Sequence, residues 1–406
     1  VNNNRKKEII MRIALISVHG DPRLQAGGKD AGGMNIYIRE VVEKLNMSNV
    51  EVDIFTRDHN RINEIEGQFT NINVNYIHAG DNSLDKVGIF NHIDEFVEGV
   101  NKFKNKNNIS YDLIFAHYWL SGVASLKLKK LWNVPVVSTF HTIQEIKQEA
   151  FPFNQDDPHR ESQEKFVSQN SDALVVWSKH EKNFIQSNYG VVANKIYVIP
   201  PGVDLELFKP IVKERARKEI NISDDLKVIL FVGRLERLKG LDTLLEALSI
   251  IEQEKINLLV VGGLYNITEV SRLKKICNEL NLSEKVHFMG SINRSDLKFY
   301  YNSSDICVLP SYYESFGLSA LEAAACGIPV VASKKGGLSS IVIDKKTGYL
   351  LQWRCPGPFV EKLEILLKSK DLRESMGKNA RQHAENLNWE ESISSLKKLF
   401  HKLTSN

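Results

Sequence analysis

Two acidic side chains, Glu314 and Glu322, stand eight residues apart in the run Glu314-Ser-Phe-Gly-Leu-Ser-Ala-Leu-Glu322. Along a helix, eight steps rise about 12 Å and return to within about a quarter-turn. That length approximates the span from a sugar, across a diphosphate, to the ribose of a nucleotide-sugar. One carboxylate could hold sugar hydroxyls and the other ribose hydroxyls. Gly317, with Ser315, Phe316 and Leu318 around it, would open the helix, and its unpaired amides would make an anion site between the two acids. The plainer reading is a helix cap at Glu314 and a solvated Glu322. Against it, Leu321, Ala323, Ala324 and Ala325 surround Glu322 with apolar neighbours, where a carboxylate needs partners.

Arg234 and Lys239 are the next candidates, in Gly-Arg-Leu-Glu-Arg-Leu-Lys-Gly from Gly233 to Gly240. A planar guanidinium fork and an ammonium five residues apart, directly after an apolar run, suit a diphosphate clamp better than an exposed basic turn. Gly32-Gly33 begins a helical pattern where backbone amides can approach a phosphate without a β-carbon in the way. The surrounding loop, His19 to Tyr37, is neither a Gly-x-Gly-x-x-Gly fingerprint nor a Walker loop, and Gly27-Gly28 within it reads equally as flexible loop. His117 and His141 each end a strand-like run, so both should face a ligand cleft. No carboxylate–histidine spacing suggests a metal site. Arg160, Lys86 and Lys147 are cations of an ordinary surface type.

These residues need a scaffold that delivers strand ends to one side. Largely apolar runs at 11–18, 51–56, 113–117, 134–139, 173–176 and 196–199 alternate with helical patterns, beginning with Gly33 to Leu45. Continuous Val/Ile/Leu runs mark strands buried on both faces, hence parallel sheet. The turn-rich PPGVDLELFKP, Pro200 to Pro210, interrupts the series. A second series follows at 227–232, 257–261, 285–289, 305–309 and 329–332, with helices at 241–251, 269–280, 295–302 and 318–325. The expected architecture is α/β, two Rossmann-like doubly wound domains in tandem facing across a cleft, with ligands beyond the carboxyl ends of the strands. The expected division is 11–204 and 205–385. An amphipathic helix in 386–406 (Trp389, Ile393, Leu396 and Phe400 at helical spacing) should pack back on the N-terminal domain.

Length and composition agree: 406 residues suit two or three domains. Lys plus Arg number 53 against 50 acidic residues, a net charge of +3 that excludes a general attraction to nucleic acid or anionic lipid. Cys277, Cys307, Cys326 and Cys355 form no Cys-x-x-Cys pair, so neither a disulfide framework nor a cysteine zinc site is expected, and a reducing cytoplasmic setting fits. No apolar run approaches the ~20 residues of a membrane helix. The start, VNNNRKKEII, lacks a signal-peptide core, and Met11 is a candidate initiator.

Taken together, ESFGLSALE, GRLERLKG, PPGVDLELFKP and DAGGMNIY resemble family 4 retaining glycosyltransferases of the GT-B fold, over about Arg12 to Asn386. SVHGDP with DAGGMN, HYWLSG and FHT look closest to the inositol-phosphate N-acetylglucosaminyltransferase branch, and the sequence is also similar to bacterial sucrose-phosphate synthases. The resemblance implies that Glu314 engages donor-sugar hydroxyls, Glu322 the ribose, and Arg234 with Lys239 the diphosphate. His141 would lie beside the transferred sugar, and Gly33 would meet phosphate through its backbone. Asn35, Tyr118, Thr142 and Arg160, with a lysine near Lys86, would hold the acceptor's ring and phosphate. The segment YLLQWRCPGPF lacks the family's usual Pro-Pro-Gly-Asp-like turn, and HTIQEIKQEAFPFNQDDPHRES departs from both branches beside the acceptor residues.

The implied reaction moves glucose or N-acetylglucosamine from a UDP-sugar to a hydroxyl of a small phosphorylated sugar or cyclitol, with retention. No cofactor is required, and cations in place of an Asp-x-Asp site imply no essential metal. Domain closure about Pro200–Pro210 would exclude water, and a homodimer is compatible. Two rivals remain: a nucleotide-sugar 2-epimerase of the same architecture, and a non-catalytic nucleotide-sugar binder.

Overall fold

Val, Ile and Leu fill most of the strands, as expected where helices cover both faces of a sheet, although Val50–Arg57 (VEVDIFTR) alternates polar with apolar over its first half. The computed structural model describes residues 11–24, 32–59, 72–152, 157–252, 255–263, 267–352 and 355–405. The readings placed on VNNNRKKEII and on Gly27-Gly28 lie outside these residues. The chain divides into two units, one of described residues from 11–24, 33–199 and 392–405, the other of Gly32 and 200–391.

In the first unit the strands are β1 (Met11–Ile16), β2 (Val50–Arg57), β3 (Val74–Ile77), β4 (Leu113–His117), β5 (Val136–Thr139), β6 (Ala173–Val176) and β7 (Ile196–Val198). They lie in the order β3-β2-β1-β4-β5-β6-β7 and pair in parallel. The chain winds outward from β1 to β3, then returns to β4 on the other side of β1. The carboxyl ends of β1 and β4 therefore flank the switch point, where loops diverge and leave a crevice. Helix Gly33–Met47 crosses from β1 to β2, and helix Trp119–Trp132 follows β4.

The second unit repeats the plan with β8 (Lys227–Val232), β9 (Ile256–Val261), β10 (Val286–Gly290), β11 (Ile306–Leu309), β12 (Val330–Ser333) and β13 (Gly348–Leu351). Their order is β10-β9-β8-β11-β12-β13, again parallel, with the switch point between β8 and β11. Its core packs the inward faces of β8 and β9 against helices Leu241–Ile250 and Pro356–Lys368, with Phe231, Leu244, Leu258 and Phe359 all buried. At the amino end of β11 a buried carboxylate, Asp305, accepts from Lys213, Arg217 and the Val228 amide, and Arg373 lies 3.4 Å away.

The C-terminal helix runs Trp389–Thr404. Within the first unit its Phe400 meets Phe115 of β4 edge-on at 5.4 Å, and Lys402 donates to the Tyr197 hydroxyl. All four cysteines are free, three of them buried. No helix among the described residues is long and apolar enough to cross a membrane.

Candidate functional site

In the second unit, the residues singled out from sequence converge on the β8/β11 switch point. The turn after β8 carries Arg234 and Lys239, and the turn after β11 carries Glu314. Lys239 Nζ donates to both Glu314 carboxylate oxygens, at 2.8 and 2.5 Å, with both side chains mostly buried. Arg234 Nη1 lies 2.9 Å from Glu236 in its own turn. Backbone contacts hold the two turns together. Tyr312 N donates to Leu238 O, and a Cβ on Gly240 would lie 2.2 Å from Pro310 O. Only glycine, which tolerates the φ of +67° at position 240, permits that approach.

The helix expected at 318–325 runs Leu318–Ala325, so Glu314 lies ahead of it and the eight-step helical rise from Glu314 to Glu322 does not apply. Gly317 precedes the helix with φ +101°, a left-handed conformation that breaks the helical path back toward Glu314. The helical rise therefore measures only Leu318 to Glu322, and Glu314 projects from a turn. A further loop supports that turn. Gly337 N donates to Glu314 O, and a Cβ on Gly336 would sit 1.9 Å from the same oxygen. Ser315 and Phe316 are buried against this Gly336-Gly337 loop, where a Cβ on Gly337 would come within 2.4 Å of Ser315 O. This support was missed from sequence, although a glycine pair four residues beyond the end of the apolar run 329–332 was the available signal.

Glu322 is buried and fully engaged: Arg294 Nη1 donates to one oxygen at 2.9 Å and the Tyr301 hydroxyl to the other at 2.8 Å. Burial, then the Glu322 charge, pushes the Tyr301 phenol well above its usual range and keeps it a donor. Burial likewise pushes the thiols of Cys307 and Cys326 up, so neither is a ready nucleophile.

The first unit builds a different cluster beside its own switch point. Tyr118 follows β4, and its ring is approached by the His19 ring (4.5 Å between centroids), the Arg160 guanidinium (4.8 Å) and the Lys86 ammonium (5.6 Å). Arg160 Nη2 donates to Thr142 O and Thr142 Oγ1, both at 2.8 Å, and its Nε to Glu164 at 2.6 Å. Lys86, Tyr118, Thr142 and Arg160, spread over 75 residues of sequence, thus share one place. Asn35 is buried and donates to Asp21 O at 2.6 Å. The Asp21 side chain in turn accepts from Tyr76 and the Arg23 amide and lies 3.0 Å from His59 Nε2. Burial raises the Asp21 carboxyl, but these hydrogen bonds and the Arg23 charge outweigh it and leave the pKa lowered. Gly33 is the exposed first residue of its helix, and Gly32, just before it, is half-buried. Lys147 lies within helix Gln144–Ala150.

His141 and His117 form a buried pair, with His117 Nδ1 2.9 Å from His141 Nε2. Tyr37 and Trp177 contact His141, and Phe115 packs on His117. Burial depresses His141 to about 3; burial and then His141 itself depress His117 well below the normal value. Both rings are neutral at pH 7. Tyr118 and His141 also adopt φ of +78° and +63°. Among the described residues, the other non-glycine positions with positive φ are five asparagines and Lys345. Asparagine and, less often, histidine visit this region; the bulky Tyr118 ring there is strained by about 1–3 kcal/mol, and such strain concentrates at functional sites. Among the described residues no group of three or more His, Cys, Asp or Glu could hold a metal ion.

Residues 31–207 match the model of Glycosyltransferase Family 4, and residues 212–383 that of the group 1 glycosyl transferases. The chain is 36% identical to a D-inositol 3-phosphate glycosyltransferase of Corynebacterium jeikeium over 97% of both chains. Its identity to the enzyme of the same name from Paenarthrobacter aurescens is 34%, over 93% of this chain and 95% of that one. A sucrose-phosphate synthase structure from Thermosynechococcus elongatus superposes with a TM-score of 0.90 at 33% identity, covering 97% of this chain and 99% of that one. HepE of Anabaena, solved with UDP and glucose, shares the fold at a TM-score of 0.80 and 19% identity, covering 97% of this chain and 100% of that one.

Proposed function

The chain belongs to the family 4, group 1 glycosyltransferases of GT-B fold, and from that premise we propose that it transfers glucose or N-acetylglucosamine from a UDP-sugar to a hydroxyl of a small phosphorylated sugar or cyclitol, with retention. The observation that carries the donor side is the Lys239–Glu314 pair, which spans the β8/β11 switch point. A diphosphate entering there meets the Lys239 ammonium, the Arg234 fork and the free amides at the start of helix Leu318–Ala325. These groups are fixed before charge develops on the leaving phosphate, so they favour the transition state over the ground state. Glu314 is then available to accept from sugar hydroxyls. Glu322, held in place by Arg294 and Tyr301, is the carboxylate this reading assigns to the ribose hydroxyls.

The acceptor side rests on the Tyr118 cluster. Two cations, a threonine hydroxyl and a tyrosine within one small volume form a phosphate-recognition set. Relatives named for inositol 3-phosphate and sucrose phosphate support a phosphorylated acceptor. In the reaction the acceptor oxygen bonds to the anomeric carbon as the bond from that carbon to the β-phosphate oxygen breaks. The acceptor proton passes to the departing phosphate on the same face, so UDP leaves and the configuration is kept. His141, neutral at pH 7, contributes shape and hydrogen bonding beside the sugar and supplies no cationic acid.

The test is a matrix of UDP-glucose and UDP-N-acetylglucosamine against inositol 3-phosphate and fructose 6-phosphate, followed by UDP release. One donor–acceptor pair should turn over, and Lys239→Ala and Glu314→Ala should each abolish most of that rate. Full turnover in either variant refutes the donor assignments. Conversion of UDP-N-acetylglucosamine without any acceptor would make the chain an epimerase, and binding without turnover a non-catalytic binder.

A further inference from the structure

The acceptor cluster owes its geometry to a residue that touches none of the proposed substrate positions. Glu164 is fully buried one helical turn beyond Arg160, and its carboxylate is divided between two jobs. Oε1 accepts from Arg160 Nε at 2.6 Å, and Oε2 accepts from the amide of Gln144 at 2.8 Å. The Tyr189 hydroxyl lies 3.4 Å from Oε2. Burial and the Glu164 charge push the Tyr189 phenol up, so it stays protonated and faces the carboxylate as a donor.

Arg160 itself is 3% exposed, and its Nη2 donates to both the carbonyl and the hydroxyl of Thr142. A closed ring of hydrogen bonds therefore runs from Glu164 to Arg160, to Thr142, along the backbone to Gln144 and back to Glu164. Two consequences follow. The guanidinium plane is fixed over the Tyr118 ring, because Nε and both hydrogens of Nη2 are committed. Thr142 Oγ1 already accepts from Arg160, so its own hydrogen is left to donate elsewhere, which suits an anionic oxygen.

A dry ion pair is a poor stability device. Desolvating two charges costs several kcal/mol per ion, and apolar residues of equal volume often serve stability as well or better. Removing conformational freedom from an anion-binding guanidinium is what this arrangement does well, since it lowers the ordering cost of binding. We propose that Glu164 is a positioning residue for phosphate recognition, holding the Arg160 guanidinium and the Thr142 hydroxyl in the orientation that receives the acceptor's phosphate. This rests on the reading of the Tyr118 cluster as the acceptor site.

The experiment uses the full chain and whichever donor–acceptor pair turns over, with Arg160→Ala, Glu164→Gln, Glu164→Asp and the double variant Arg160→Ala/Glu164→Gln. In Glu164→Gln the amide oxygen can still accept from Arg160 Nε, but its NH2 then faces the Gln144 N–H and that bond is lost. The acceptor KM should rise about tenfold, equivalent to about 1.4 kcal/mol. The donor KM should move by less than twofold, and inhibition by inorganic phosphate should weaken in parallel. Adding Glu164→Gln to Arg160→Ala should change the acceptor KM by less than twofold, because both act through one guanidinium. Glu164→Asp, which keeps the charge, should fall between wild type and Glu164→Gln, and it is the deciding variant if the glutamine protein does not fold. An unchanged acceptor KM in the Glu164 variants while Arg160→Ala raises it, or equal rises in donor and acceptor KM, overturns the positioning role alone. An acceptor KM unaffected by Arg160→Ala overturns the acceptor-site reading itself, and this inference with it.

Discussion

Acidification from pH 7 to pH 5 should destabilise the first unit through its buried histidine pair. His141 is depressed by burial from the usual 6.5 to about 3, so the unfolded chain binds a proton that the folded one refuses. The unfolded state then holds more protons, and stability rises with pH through this window. The neutral pair's contribution is fully present above the unfolded pKa of ~6.5 and is lost progressively as pH falls toward the folded value. At about 1.4 kcal/mol per pH unit, His141 alone costs about 2 kcal/mol between pH 7 and pH 5. His117, depressed by burial and by His141, adds a change of the same sign. Against a typical total of about 5–15 kcal/mol this is a large fraction. The assay is urea unfolding of the full chain at pH 7, 6 and 5, beside a variant carrying His117→Asn and His141→Asn. Asparagine removes both titrations and tolerates the φ of +63° at position 141. The carboxylates and exposed histidines contribute equally to both proteins, so the difference between them isolates the pair. The wild type should lose at least about 2 kcal/mol more than the variant over that range. A difference below about 0.5 kcal/mol would show that the rings are not held neutral by burial.

Further outcomes follow from the same geometry. Gly336→Ala places a Cβ 1.9 Å from Glu314 O and should lower kcat/KM at least about tenfold, about 1.4 kcal/mol, while Gly357→Ala, with nothing within 4 Å, should leave it unchanged; steady-state kinetics of the two separate a moved Glu314 turn from a general glycine effect. Asp305→Ala strands Lys213, Arg217 and Arg373 at one buried point and should destabilise the second unit by about 3–5 kcal/mol in urea unfolding. Lys239→Ala, which leaves the Glu314 carboxylate mostly buried without its ammonium, should lower kcat/KM by about 100-fold or more, with UDP release as the readout.

How far the sequence alone reaches is clear from particular elements. The apolar runs of β4, β6 and β8 declare their ends to the residue, because strands covered on both sides admit no polar interruption. Helix Leu318–Ala325 is equally plain, since alanine and leucine favour helix and a glycine precedes them. Strand β3, Val-Asn-Tyr-Ile at a sheet edge, is half-exposed over three of its four residues and lacks the continuous apolar signal. Strand β13, Gly-Tyr-Leu-Leu, opens on a glycine and has no β-branched residue to mark it as a strand.

For the candidate sites, residue types and strand-end positions select Glu314, Arg234, Lys239 and His141 from the sequence, because the chemistry requires those groups and doubly wound sheets deliver ligands to strand ends. Pairing was decided only in three dimensions. Lys239 meets Glu314 across 75 residues, and His117 meets His141 across 24. Arg160 and Glu164 show the division within a single turn: their four-residue spacing is written in the chain, but an identical spacing on an exposed helix makes a solvated ion pair of little consequence. What changes its meaning is the packing of Thr142, Gln144 and Tyr189 around it, which excludes water and sets both charges against fixed partners. Burial is a property of many distant residues at once, and no local pattern encodes it.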